Sequence, residues 1–492
     1  MNKPLLMSLL FVAGLAVTSC QKEEADLSNL SPNEEKQAVV ENDLEVENFI
    51  YNGMNDIYLY KAEVPVLADD YFSSNEDKLD YLAEAGTPEH LFEKLKYSQD
   101  RFSFLTDDYV ALEESFKGVS SGTAGMNFGL GRISGTNNIF GFLQYVVPNT
   151  PAADAGLTRG TVFTEVNGQQ LTESNFSNLL DSGSFSINVG RIENGTIYMS
   201  DETVTLSHSE YTENPVLIAK TLNADGKKIG YIMYNSFIAD FDDELNDAFG
   251  QLKSQGVTDL VLDLRYNGGG SVESAVDLAS MITGQYEGEV FMKEQWNEDY
   301  QEYFESKNAE SLINRFNPQI RTNELINSLN LSRVIILTSS RTASASELVI
   351  NGLEPYIDVV QIGESTTGKF QASVTLYDSP DYNREDANPN HTYAVQPLVF
   401  KSANAAGKSD YINGLAPDVE YSEDLNNLGT LGDPSEPMLQ LAIAYITGNT
   451  IEIQSNKARN MDNFRIIGES GMNDPNYQRM YIDKLPSELR RD

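Results

Sequence analysis

The chain of 492 residues carries 74 acidic against 34 basic side chains, a formal net charge of -40 at pH 7, and 40% of its residues are hydrophobic. Such a length accommodates roughly three domains with a buried core. The charge argues against nucleic acid and anionic membrane surfaces as partners, and favours neutral or basic substrates. Cys20 is the only cysteine, so no intrachain disulfide can form.

Residues 1–19 read as a leader peptide. Lys3 supplies a basic start, and the apolar stretch Leu5 to Val17 is short for a membrane span. The ending Val17-Thr18-Ser19-Cys20 resembles the lipobox of bacterial lipoproteins. That resemblance implies cleavage before Cys20, lipid on its thiol and attachment to an outer membrane. Gln21-Lys22-Glu23-Glu24 resembles the export signal of surface lipoproteins in some Gram-negative bacteria, which leaves a periplasmic or a surface-exposed location open. Residues 20–40 are polar and acidic and read as a tether.

Residues 41–117 read as helical. Val46, Phe49, Ile50, Met54, Ile57 and Tyr58 recur at spacings of three and four, and Thr87-Pro88-Glu89 is a helix start. From residue 118 to 212 short strands and glycine turns take over. Phe128-Gly129-Leu130-Gly131 is followed by Val146-Val147-Pro148, by Pro151-Ala152-Ala153-Asp154-Ala155-Gly156-Leu157 and by a strand ending at Asn167-Gly168. This order resembles the PDZ domain embedded in bacterial processing proteases. The resemblance implies that the backbone of Gly129, Leu130 and Gly131 holds a peptide's terminal carboxylate while the peptide adds as an edge strand.

Residues 213–447 alternate strands and helices, which predicts a mainly parallel sheet with crossover helices in an α/β multidomain protein. The strands are expected at Ile229–Tyr234, Leu260–Leu264 and Val334–Leu337, and the helices at Phe241–Gly256, Ser271–Ile282 and Glu436–Thr447. Residues 285–330 form a charged, aromatic-containing insertion that reads as helical. Residues 448–492 carry no recognisable motif.

Three phrases in this core carry chemistry. Ser344-Ala345-Ser346-Glu347 opens a helix after a buried strand; Gly363-Glu364-Ser365-Thr366-Thr367-Gly368-Lys369 ends the next strand; Arg265-Tyr266-Asn267-Gly268-Gly269-Gly270 turns out of an earlier one. Singly they are an N-cap, an exposed lysine and a glycine turn that lacks the Gly-Lys-Ser/Thr ending of a nucleotide loop. Together, with 25 residues from Ser344 to Lys369, they resemble the carboxy-terminal processing peptidases, or tail-specific proteases, over about residues 120–420. The resemblance implies Ser344 as nucleophile, Lys369 as general base, and an oxyanion hole from the N–H groups of Ala345 and of a glycine within 268–270, placed at Gly269. It implies protein or peptide substrates with free carboxy-termini and no cofactor or metal.

The family's Gln four residues after the lysine is here Ser373, so either Gln371 or Ser373 is left to orient the dyad. Gly414-Leu415-Ala416-Pro417-Asp418 matches a phrase near the end of the family's core. A serine needs a base, and lysine serves only when its pKa falls from ~10.4 toward about 7–8. His90, His208 and His391 are distant from Ser344 in sequence, which leaves a histidine base open until the fold is known. A non-catalytic binding protein, like the retinoid-binding modules that share this core, and an inert scaffold are the alternatives; neither needs both Ser344 and Lys369.

Overall fold

The computed structural model describes residues 43–450, 463–474 and 477–486; the expected leader, Cys20 and the tether lie outside the described residues. The segment 43–117 is mainly helical, apart from the strand Phe104–Thr106 that pairs with Ala394–Gln396, and its periodicity is the reason. Helix α1 (Glu45–Ile57) buries Phe49, Ile50, Met54 and Ile57. Helix α2 (Asn75–Ala85) is capped by Ser74, whose hydroxyl accepts from the Asp77 N–H. Thr87 caps α3 (Pro88–Leu95) in the same way, with proline in the first turn. Helix α4 (Tyr109–Phe116) completes the segment.

A curled antiparallel sheet follows. Its main strands are β1 (Met126–Ile133), β2 (Ile139–Val146), β3 (Ser184–Glu193) and β4 (Thr196–Ser207). The expected helix is present as the turn Pro151–Asp154. Gly129, Leu130 and Gly131 depart from expectation. They lie inside β1, paired with Phe142, Gly141 and Phe140 of β2 on one side and with residues 466–469 on the other. Their backbone groups are thus held in sheet ladders and do not form an open carboxylate-binding loop. The glycines answer a packing need: a Cβ on Gly129 would sit 2.2 Å from the Phe142 ring, and one on Gly131 2.3 Å from Phe140.

The core is a six-stranded sheet with β5 (Val216–Ala224), β6 (Lys227–Tyr234), β7 (Asp259–Asp263), β8 (Arg333–Thr338), β9 (Asp358–Gly363) and β10 (Val419–Glu420) side by side in that order. β5 and β6 are an antiparallel hairpin, and every later pair is parallel. Both faces are covered, so the central strands are apolar at nearly every position. Leu260, Leu262, Val334 and Ile336 face one core with helices α5 (Asp242–Ser254), α6 (Val272–Ile282) and, further on, Ala345–Leu353. Val261, Ile335, Leu337 and Ile362 face the other, under the helix Pro437–Thr447.

The insertion at 285–330 is only partly helical. Its helix α7 (Glu298–Asn308) is flanked by Val290–Trp296, which pairs with Ile313–Arg315 and with Leu398–Asn404. Burial of Phe291, Met292 and Trp296 against that second sheet overrides local propensity. The motif-free carboxy-terminal segment also returns to the body, its described parts pairing with β1 and with the second sheet.

One buried ion cluster ties these layers. The guanidinium of Arg265, wholly buried, meets Asp263 at 2.7 Å, Glu436 at 2.8 Å and Glu423 at 2.9 Å. Glu423 also receives Arg159 from the β-domain and the Tyr266 hydroxyl. Burial alone would push the Glu423 carboxyl up; Arg159 and Arg265 reverse this and hold it at about 2. Removing Arg265 leaves carboxylates buried without a partner, so Arg265→Met should lower unfolding free energy by about 3–5 kcal/mol in urea melts. Because Glu423 titrates below its unfolded value of 4.5, its contribution is complete above that pH and fades as pH falls toward 2. Stability curves of wild type and Glu423→Gln should therefore converge in that acid window.

Candidate active site

Three loops leave the carboxyl ends of β7, β8 and β9, adjacent parallel strands, and converge where ligands commonly bind in open α/β sheets. The β8 loop delivers Ser344 to the N-cap of helix α8 (Ala345–Leu353) at φ 66° and ψ -115°. A non-glycine residue held there is strained, and the surroundings must over-determine it. The β9 loop delivers Lys369. The β7 loop carries the glycine turn.

Glu347, one turn into α8, joins the first two loops. Its Oε2 accepts from the Ser344 N–H and from the Lys369 N–H, both at 2.8 Å. Its Oε1 accepts from the Gly368 N–H at 2.7 Å and the Thr366 hydroxyl at 2.5 Å. Burial pushes this carboxyl up, and the four donors oppose that. The serine and lysine backbones therefore hang from one oxygen atom. Thr366 Oγ1 in turn accepts from the Leu415 N–H at 2.8 Å. A Cβ on Gly414 would lie 2.0 Å from the Thr366 carbonyl oxygen, which is why the Gly414–Asp418 phrase begins with glycine.

Ser344 and Lys369 are both 0% exposed, and neither Ser344 Oγ nor Lys369 Nζ has a hydrogen-bond partner among the described residues. Burial drives the lysine ammonium well below its ordinary pKa of 10.5, and the neighbouring Arg479 adds to the shift; Asp100 and Glu347 oppose it. The Phe102 ring, 4.9 Å from Nζ, is part of the dry wall. No histidine competes for the role. His391 pairs with Asp378, His208 stacks on Phe185 in the β-domain, and His90 is on the exposed side of α3.

The glycine turn is latched to the serine loop. Ala343 N–H and Ser346 Oγ donate to the Asn267 carbonyl, and Thr342 Oγ1 donates to the Leu264 carbonyl. A Cβ on Gly269 would stand 2.6 Å from Ser344 Cβ and 3.0 Å from the Ala345 nitrogen, so the turn lies against Ser344. The assignment within it moves by one residue. Gly269 N–H already donates to Asn267 Oδ1 at 2.8 Å. Gly269 O and Ser271 N–H both bond Phe237, so by strand alternation the Gly270 N–H points the other way, toward the Arg479–Met480 backbone that pairs with it. The candidate donors are accordingly Ala345 and Gly270.

Of the two candidates for orienting the dyad, Ser373 is engaged elsewhere, donating to Gln396 Oε1 and the Met480 carbonyl. Gln371 Nε2 donates to the Tyr60 hydroxyl at 2.8 Å, and its buried Oε1 has no partner among the described residues. Glu347 is the residue that reading the phrases did not single out. Its position three residues after a helix N-cap is a capping signal, but nothing local shows that the same carboxylate reaches a second loop.

The chain is similar to known peptidases. The profile of peptidase family S41 matches residues 228–421, and that of the peptidase S41 N-terminal domain matches residues 45–104, together just over half of the chain. The chain belongs to peptidase family S41. It is a serine peptidase of that family. The carboxyl-terminal-processing protease of Picosynechococcus is 26% identical over 328 residues, covering 61% of this chain and 73% of that one. A probable CtpA-like serine protease of Staphylococcus aureus is 25% identical over 312 residues, 63% of this chain and 56% of that one. The crystal structure of a putative S41 protease from Bacteroides fragilis superposes with a TM-score of 0.64 at 28% identity, covering 82% of this chain and 97% of that one.

If Glu347 sets the relative position of serine and lysine, Glu347→Gln should lower kcat/KM by roughly 100-fold, since a small misplacement suffices for such a loss. The loss in stability should be about 1–3 kcal/mol, from N–H donors left unmatched. Steady-state kinetics and thermal melts on one preparation check both.

Proposed function

We propose that this S41 peptidase cleaves polypeptides at or near their carboxy-termini, with Ser344 as nucleophile and Lys369 as general base. The observation that carries the assignment is the pairing of two buried, unpartnered side chains on loops joined through Glu347. Neutral Lys369 Nζ takes the proton as Ser344 Oγ attacks the scissile carbonyl carbon. The oxyanion is received by the N–H groups of Ala345 and Gly270, each worth roughly 3–4 kcal/mol in the transition state. The lysine returns the proton to the departing amine, and water then hydrolyses the acyl-serine ester by the reverse sequence. The names of the cyanobacterial and staphylococcal relatives support processing at carboxy-termini. The order of elements in the β-domain, which resembles a PDZ domain, supports recognition of an extended peptide. The lipobox-like ending at Cys20 supports a lipid anchor on the outer membrane.

Ser344→Ala and Lys369→Ala should each abolish peptide cleavage, measured on the form lacking residues 1–20, and leave the far-UV spectrum unchanged. Lys369→Arg should be equally inactive, because Arg does not deprotonate. Lys369→Met should be inactive yet melt no lower than wild type. The lysine binds its proton more weakly folded than unfolded, so its ionisation opposes folding at neutral pH, and methionine removes that penalty. In wild type, kcat/KM should rise with pH and level off well below 10.5. A substrate with a free carboxyl-terminus should be cut faster than its amidated twin; equal rates would leave a Ser–Lys peptidase without preference for chain ends.

Cys20→Ser should move the protein from the membrane fraction to the soluble fraction on cell fractionation.

A further inference from the structure

The segment after residue 462 follows the route that a substrate of this site would take. Its first strand, β11 (Phe464–Glu469), adds antiparallel to β1 and forms the outer edge of the β-domain sheet. The Ser470 N–H donates to the Phe128 carbonyl, and Ser470 Oγ accepts from the Phe128 N–H. Glu469 meets Arg341 of the serine loop. The chain then crosses the catalytic turn. Gln478 lies over Gly268 and donates to Thr367 Oγ1 at 3.0 Å. A Cβ on Gly269 would be 2.4 Å from the Arg479 carbonyl oxygen and 2.6 Å from Ser344 Cβ, so an internal peptide carbonyl stands beside the nucleophile. Strand β12 (Met480–Tyr481) next inserts parallel to Gly270–Ser271 and to Ser373. Met480 is wholly buried, Tyr481 packs on Phe116, and Asp483 pairs with Arg321.

A peptidase whose nucleophile and base are both 0% exposed admits no peptide until something moves. What lies across the turn here is a segment paired through backbone ladders, the attachment mode by which extended peptides bind sheet edges, and anchored by the buried side chains of Phe464 and Met480. The cavity of about 220 Å³ at this point has Gly268–Gly270 and Tyr266 on one wall and Glu469, Tyr477 and Arg479 on the other.

We propose that the β1 edge and the cleft over Gly268–Gly270 form one continuous peptide-binding path, and that the chain's own described stretches Phe464–Asp474 and Tyr477–Tyr481 are its resident ligand, holding the peptidase latent until substrate displaces them. This rests on the assignment of Ser344 and Lys369 to catalysis. It also identifies what the path accepts: an extended peptide that adds as an antiparallel strand on β1 and places a buried apolar residue, in the position of Met480, just past the catalytic turn.

The test compares the form 21–492 with 21–450 and with a full-length variant loosened at three points away from the catalytic groups, Ile466→Pro, Ser470→Pro and Asp483→Arg. Each is assayed for peptide cleavage and for labelling by a serine-reactive phosphonate. We expect both altered forms to react and cleave at least 10-fold faster than 21–492, and a synthetic peptide of residues 463–486 to inhibit 21–450 competitively. Should 21–450 fail to fold, the loosened variant decides, with hydrogen exchange at residues 464–481 confirming release of the segment. Equal rates in tethered and released forms would overturn the latency and leave the peptidase intact. Absence of cleavage and of Ser344-dependent labelling in every form would instead overturn the catalytic assignment.

Discussion

The site depends on one buried carboxylate. Glu347 accepts four hydrogen bonds, and two of them, from the backbones of Ser344 and Lys369, end on the same oxygen. A carboxylate removed from water requires such a set of donors. The need runs both ways: the serine loop and the lysine loop each contain N–H groups that would otherwise be buried unpaired. Mutual satisfaction fixes the separation of two backbones that come from different strands. It also over-determines the positive φ at which Ser344 is held.

Around that point the electrostatics are divided between two neighbourhoods. At Lys369 burial comes first and Arg479 second in disfavouring the ammonium, against the opposing Asp100 and Glu347, which is the condition for a lysine to act as base. A few residues away the opposite holds. Arg265 sits among Asp263, Glu423 and Glu436, wholly buried and wholly paired. The glycine turn that follows Arg265 is rigid because that cluster fixes one end and Asn267 fixes the other. A rigid turn matters for an oxyanion donor, whose value lies in being oriented before charge develops.

The β-domain and the carboxy-terminal segment belong to the same account. β1 carries Gly129 and Gly131 so that Phe140 and Phe142 can lie across it, and its outer edge is closed by β11. Arg159 and Arg341 connect this domain and the serine loop to Glu423 and Glu469 respectively. Occupancy of the β1 edge and coverage of the catalytic turn are thereby features of one segment.

Much of this was legible in the residues themselves. The α/β core followed from apolar runs such as Leu260–Leu264 and Val334–Leu337 alternating with amphipathic helices, because strands buried on both faces must be apolar throughout. Ser344 and Lys369 were marked by their positions at element ends, Ser344 at a helix start and Lys369 in a glycine-bounded loop. Local signals of this kind survive in sequence because they act within a few residues. The remainder was decided by contacts between distant segments. Gly129-Leu130-Gly131 reads equally well as a carboxylate loop or as a strand crossed by phenylalanines, and only the registers of β2 and β11 choose. Gly269 and Gly270 are interchangeable in a string of three glycines; the hydrogen bond from Gly269 to Asn267 separates them. Residues 285–330 have helical composition, yet pairing with Leu398–Asn404 draws Val290–Trp296 into a strand. The tail after residue 462 has no motif because its partners are β1, more than three hundred residues away, and Ser373, more than a hundred residues away; ladder bonds use backbone atoms common to every residue and leave little trace in the side chains.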